Sequence, residues 1–213
     1  MLRDRPQWVA RAHSGENTMD KERSFTATLW ANGHPLNFLA ALSGGPVWIT
    51  GPLSDDVQLR DGSRALGMLD GSDEDWQHGQ ELGLVDFHRT VDAVPVLLYF
   101  RHSPVGYRLY VRSGNHQGEG IFCSPQGLLE AQPIGSADPA CWSIQEAATG
   151  TALDARQVGD GPLDIQLASA DGKPVVMQGI YPVGGYLACQ ASAAVSTLSL
   201  QIEARHVDWL SAD

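Results

Sequence analysis

The sequence predicts an all-β domain built from three approximate copies of one strand–turn–strand unit, and three observations carry that expectation. Short apolar or alternating runs recur along the chain, separated by Gly, Pro, Asn, Asp or Ser, which is the punctuation of strands and tight turns. With 23 Gly and 12 Pro among 213 residues, turn-formers are dense enough to favour many short strands over long helices. The runs also superpose on one another at regular offsets. A hydrophobic share of 43% against 18% charged residues supports a packed core.

In chain order the strand-like runs are 25–31, 35–40, 47–50, 94–100, 107–111, 121–123, 141–144, 163–168, 174–177, 186–189 and 198–204. Alternation is plainest in TLSLQIEA, where Leu198, Leu200 and Ile202 would face a core while Ser199, Gln201 and Glu203 face water. The Ala-rich stretches 147–155 and 193–195 are short and lack a cap-to-cap pattern, so helix content is expected to be low. Ahead of the first run, residues 1–23 read as a flexible N-terminal arm, within which PQWVARAH (6–13) could form one helical turn that lays Trp8 and Val9 on the main body. Residues 24–213 then read as a single β-domain.

The three copies begin TLWANGHPLNF, LYFRHSPVGYRLYV and QLASADGKPVVM, aligned on Gly33, Gly106 and Gly172. A Gly-led strand follows in each, GPVWIT, EGIFCS and GGYLAC, with its first apolar residue 14, 15 and 14 positions after the turn glycine. A fourth strand is expected at Leu84–Phe87, Trp142–Ile144 and Leu200–Ile202, which leaves an insertion near 55–80 in the first copy. A single antiparallel sandwich or jelly roll is the alternative, because hairpins in any β-protein share this punctuation.

Three four-strand units with a Gly turn between the first two strands, a DGK turn at 171–173 and the ending CWSIQ resemble the β-trefoil proteins, closest to the fascin-like, actin-crosslinking-like group. The resemblance spans residues 24–207. It implies six barrel strands and six capping strands, with Leu29, Leu36, Trp48, Tyr99, Leu109, Phe122, Trp142, Ile144, Leu167, Val175, Leu187, Leu200 and Ile202 meeting on the pseudo-threefold axis. The Gln-x-Trp triplet of the ricin-type lectin branch is replaced by Ala140–Cys141–Trp142, which argues against ricin-type sugar binding.

Chemical motifs are sparse. Ser43 in ALSGG precedes a β-run instead of the helix that a hydrolase elbow needs. The seven His do not fall in metal-ligand spacing, and no His-x-His exists for a cupin-like centre. The acidic run Asp70, Asp73, Glu74, Asp75 lacks the alternation of a calcium loop and reads as a solvated loop. GNHQGEG (114–120) has its glycines in the wrong order for a nucleotide fingerprint and reads as a turn. No metal and no cofactor are expected. Cys123, Cys141 and Cys189 match no disulfide framework or zinc motif and read as free, buried thiols.

Fourteen Lys and Arg against 25 Asp and Glu give a formal net charge of −11, which repels nucleic acid. No apolar run approaches the roughly 20 residues of a membrane helix. The polar first 24 residues offer no signal-peptide core, so the expected location is cytoplasmic, with leaderless secretion as the alternative. Trp76, Tyr107, Tyr181 and Trp209 fall in or beside turns or at the chain end, where an exposed ring could contact a partner. The expectation is therefore a non-catalytic binding module that recognises a protein, or a glycan, through loops. The alternatives are a hydrolase or metal-dependent enzyme on a sandwich, and a subunit of a toxin or virulence assembly.

Overall fold

The computed structural model describes residues 18–50, 59–89, 93–135, 137–191 and 193–207. The first third of the chain runs α1 (Thr18–Arg23), β1 (Phe25–Ala31), β2 (His34–Pro35), β3 (Asn37–Phe38), α2 (Leu39–Ser43), β4 (Trp48–Thr50), β5 (Leu59–Asp61), β6 (Leu66–Leu69), α3 (Asp73–Glu81) and β7 (Leu98–Ser103). The second contains β8 (Gly106–Val111), β9 (Gly120–Cys123), β10 (Leu129–Gln132) and β11 (Cys141–Glu146). The last contains β12 (Leu163–Ser169), β13 (Val175–Ile180), β14 (Gly184–Cys189) and β15 (Leu198–Arg205).

The architecture is all-β around a closed barrel of six strands. In chain order β1, β7, β8, β11, β12 and β15 each pair antiparallel with the next, and β15 pairs back onto β1. Closure removes the free edges that an open sheet would expose, and it distinguishes this arrangement from two facing sheets of a sandwich or jelly roll. Between β1 and β7, β8 and β11, and β12 and β15, the chain leaves the ring and forms a further strand pair: β3 with β6, β9 with β10, β13 with β14.

These outer pairs touch one another. Strand β6 pairs with β14, Ala65 bridges Glu130, and Leu128 bridges Ala188. The approach of β6 to β14 is close enough that a Cβ on Gly67 would lie 2.5 Å from the Gly185 carbonyl oxygen. Only glycine fits there.

Two apolar clusters result. Inside the ring, Phe25 stacks on Phe100 at 4.8 Å and meets Tyr107 edge-on at 5.6 Å, above a layer that includes Leu29, Leu109, Trp142, Ile144, Leu167 and Leu200. The second cluster lies where the outer pairs meet, with Leu69, Leu128, Ile180, Val183 and Tyr186 covered by Leu39, Leu42, Val47, Ile49, Trp76 and Phe87 from the first third. Thus α2, the β4–β5 hairpin and α3 are not loose insertions: they roof an apolar surface that would otherwise face water. Below the barrel entry, α1 is tied to β7, where the Ser24 hydroxyl donates to the Asp20 carbonyl at 2.7 Å and accepts from the His102 amide at 3.0 Å. The His102 ring contacts the Asp20 carboxylate at 2.9 Å. Residues 18–23, assigned to the arm from sequence, are therefore helical and held; its proposed turn at 6–13 lies outside the described residues.

Several sequence-based placements differ from the structure. Gly33 and Gly172 follow β1 and β12 in left-handed turns that leave the ring, at φ +80° and +79°. Gly106 instead sits in the hairpin joining two ring strands, β7 and β8. The turn equivalent to the other two spans 112–119, with Gly114 and Gly118 at φ +74° and +90°. A hairpin within the ring and a turn leaving it carry the same Gly punctuation, and Gly106 marks the former while Gly33 and Gly172 mark the latter. Leu84–Phe87 forms no strand; its place is taken by β7. The insertion drawn at 55–80 includes β6, one of the outer strands. Among the expected axial residues Trp48 is half exposed on the β4–β5 hairpin, while Phe122 and Ile202 are only partly buried. The others are buried.

Trp142 is fully buried in the ring. Trp142→Ala should lower unfolding stability by about 3–5 kcal/mol in urea titration. Trp48→Ser, at an exposed position, should change it by less than about 0.5 kcal/mol. Equal losses would contradict the placement of these two indoles.

Candidate binding cleft

Three segments converge on a cleft of about 340 Å³ beside the barrel: the β3–α2 junction, residues 93–95, and the turn 113–116 between β8 and β9. Each is fixed by backbone chemistry. Leu39 and Ala40 donate to the carbonyls of Ala65 and Ser63, both at 3.0 Å, which seats α2 on the turn before β6. Val96 donates to the Leu36 carbonyl at 2.9 Å, and Leu97 donates to the Ser113 hydroxyl at 2.9 Å. The segment 93–97 is thereby stitched between the other two walls.

Phe38, Ala40, Leu42, Val94 and Pro95 supply the apolar lining. Asn37 ties the walls together: its amide nitrogen donates to the Val94 carbonyl at 2.8 Å, and its oxygen accepts from the Phe38 amide at 2.7 Å. His116 lies edge-on to Phe38, ring centroids 4.7 Å apart, with its Nδ1 3.0 Å from the Glu119 carboxylate. Glu119 is bonded in turn by Arg64, whose Nε donates to the Ala131 carbonyl at 2.7 Å. A relay Arg64–Glu119–His116 thus orients an imidazole at the edge of an apolar cleft. Orientation matters because the second ring nitrogen, Nε2, is then aimed by the protein and not by solvent. Val94, 64% exposed, and Asn115 form the outer rim.

The residues singled out from sequence do not gather here. Trp76 lies on α3 and is buried, edge-on to Phe87 at 5.6 Å. The acidic run around it is a helix start: Ser72 caps the Asp75 amide, and the Asp75 carboxylate accepts from the Ser72 hydroxyl and the Ser72 amide, which holds it below its ordinary range. The Ser-x-x-Asp spacing is the sequence signal for this helix start. Helix packing then forces Trp76 inward, and a Cβ on Gly79 would already meet Pro182 at 3.0 Å.

Tyr107 is buried in the ring, its hydroxyl donating to the Leu153 carbonyl at 3.4 Å. Burial, assisted by the nearby Asp154 carboxylate, pushes its pKa up to about 12. Trp76 and Tyr107 are therefore core residues, each ring packed edge-on against a phenylalanine, Phe87 and Phe25 respectively. Tyr181 is 72% exposed in the β13–β14 turn, and Trp209 lies outside the described residues. Sequence reasoning missed His116, although GNHQGEG held the clue in a His and a Glu three residues apart across a Gly-punctuated turn. The cysteines also differ from expectation: Cys123 is exposed, Cys141 half-buried and Cys189 buried. Among the described residues no group of three or more His, Cys, Asp or Glu is placed to hold a metal ion, and no helix is long and apolar enough to cross a membrane.

Asn37→Ala should leave the fold intact at a cost of about 1 kcal/mol and accelerate amide exchange across residues 93–97. Unchanged exchange would show that the cleft wall does not depend on this side chain. Tyr107 and Tyr186, both raised by burial to about 12, must ionise more readily when unfolded. Their contribution to stability is complete below pH ~10 and declines as pH rises toward ~12. Tyr107→Phe combined with Tyr186→Phe should flatten that alkaline decline in denaturation curves taken across the window; an unaltered decline would contradict the burial of these hydroxyls. Comparison with protein-family models, curated proteins and solved structures finds no match for this chain.

Proposed function

We propose that this chain is a β-trefoil binding module that holds a short segment of a protein partner in the cleft between α2, residues 93–95 and the β8–β9 turn. Support for the fold name comes from the order ring strand, outer pair, ring strand, which recurs in each third of the chain around the sequential barrel. Support for binding rests chiefly on one observation, an apolar cleft edged by an imidazole that Glu119 holds in place.

Size and chemistry favour a peptide segment. About 340 Å³ lies at the lower end of the roughly 300–1,000 Å³ typical of ligand sites, suited to a few side chains and too small for a large cofactor. A sugar would demand several polar partners, yet both amide atoms of Asn37 are engaged within the protein and the Ser113 hydroxyl already accepts from Leu97. The strongly negative chain favours a basic partner, whose approach it would accelerate.

Selection from a random peptide library tests the reading. Peptides enriched on the native chain should bear a small apolar residue flanked by Lys or Arg, and their affinity should fall about tenfold or more for Val94→Asp and for His116→Ala. Tyr181→Ala, at an exposed ring that does not line the cleft, should leave affinity unchanged. Enriched peptides that bind Val94→Asp as well as the native chain, or that depend on Tyr181, would overturn the assignment of the cleft. Binding on a glycan array in place of peptides would overturn the partner class.

A further inference from the structure

A second constellation lies away from the cleft, where the ends of β9, β14 and the β12–β13 turn come together. Cys123 ends β9, and the turn that follows it is clasped to β14: Leu128 bridges Ala188, and the Cys189 amide donates to the Gly127 carbonyl at 2.7 Å. Cys189 ends β14 opposite Val175. Cys123 stands opposite Leu129, and Cys189 is bonded to the turn just before it, so the two cysteines flank one tight turn. The turn 169–173 stands beside them, folded by Ser169, whose hydroxyl accepts from the Lys173 amide at 3.1 Å. Within that turn the Lys173 ammonium lies 2.8 Å from Asp171. An exposed thiol, a buried thiol and a cation therefore share one corner.

We propose that Cys123 and Cys189 are a peroxide-reactive pair that oxidises to an intramolecular disulfide joining β9 to β14. Reactive cysteines are exposed, sit near a cation and have a resolving thiol within reach. The hydrogen bond from Cys189 and the charge of Lys173 bring the Cys123 thiol down to about 7, against burial and the carboxylates of Asp171 and Glu130. The Cys189 thiol is pushed up by the same bond, by burial and by the charge of Cys123, so it keeps its proton.

The chemistry balances with hydrogen peroxide as oxidant. The Cys123 thiolate attacks one peroxide oxygen, the O–O bond breaks, and hydroxide leaves with the electron pair to give the sulfenic acid. Cys189 sulfur then attacks the Cys123 sulfur, the S–O bond breaks, and the departing hydroxide takes the Cys189 proton as water. Loss of the Cys123 negative charge in the first step removes the main electrostatic obstacle to ionising Cys189 in the second. Two thiols and one peroxide become one disulfide and two waters. The product clamps the second outer strand pair to the third.

Treatment of the full chain with hydrogen peroxide tests the pair. Titratable thiols should fall from three to one per chain, non-reducing peptide mapping should join Cys123 to Cys189, and dithiothreitol should restore all three. The rate should drop as pH falls below about 7, and Lys173→Met should slow it several-fold at neutral pH. In Cys189→Ser, dimedone should label Cys123 alone. Cys123→Ser replaces an exposed side chain and should abolish the linked peptide without unfolding the protein. Oxidation of Cys141 as fast as Cys123, a Cys123-linked dimer, or passage of Cys123 to sulfinic acid with no linked peptide would each overturn the proposal.

Discussion

The pairing of β15 back onto β1 is the constraint on which the other features depend. Phe25 stands opposite Arg205 and Leu29 opposite Leu200, with one irregularity between Thr26 and Ala27, and this ladder turns a meander into a closed ring. Without it β1 and β15 would be two open edges, and the apolar faces of both would meet water. With it, alternate residues of six strands point into one enclosed space, where Phe25, Phe100, Tyr107 and Trp142 are held on all sides. Arg205 continues the closure past the strand, donating to the carbonyls of Ala155 and Val158.

A rigid ring fixes where the outer strands can begin and end. Each outer pair springs from two ring strands, so the three pairs converge, and the apolar surface they share needs a cover. The first third of the chain provides one. Its extra elements, α2, β4–β5 and α3, create the cleft as a by-product of roofing the second cluster, since α2 must seat on the turn before β6 while residues 93–97 run back to the ring. The thiol corner arises from the same convergence, where the turn between β9 and β10 meets β14. Both candidate sites are thus consequences of geometry set by the barrel.

Much of the secondary structure was legible from residues alone. Period-2 alternation in Leu198–Ile202 and the Gly-bearing turns at 33 and 172 carry local information, and the structure places them as strand and turn. Pairing was less legible, because a glycine between two strands does not say whether both belong to the ring; Gly106 is the instance. Burial of aromatics was legible at Trp142, within an alternating run, and not at Tyr107, which directly follows the Gly106 turn, or at Trp76, where a Ser-capped helix turns the indole inward. The cleft could not be read at all from one segment. His116 gains its setting from Glu119 nearby, but Phe38 and Val94 come from distant parts of the chain, and only the ring brings them to the same place.

Ring closure is most directly tested by cross-strand nuclear Overhauser effects in the labelled protein. Contacts between β1 and β15 along the Thr28–Gln201 and Leu29–Leu200 positions, together with contacts between β1 and β7 along Phe25–Phe100, are the expected result. Observation of the β1–β7 set without the β1–β15 set would mean an open sheet, and would contradict both the enclosed core and the convergence that builds the cleft.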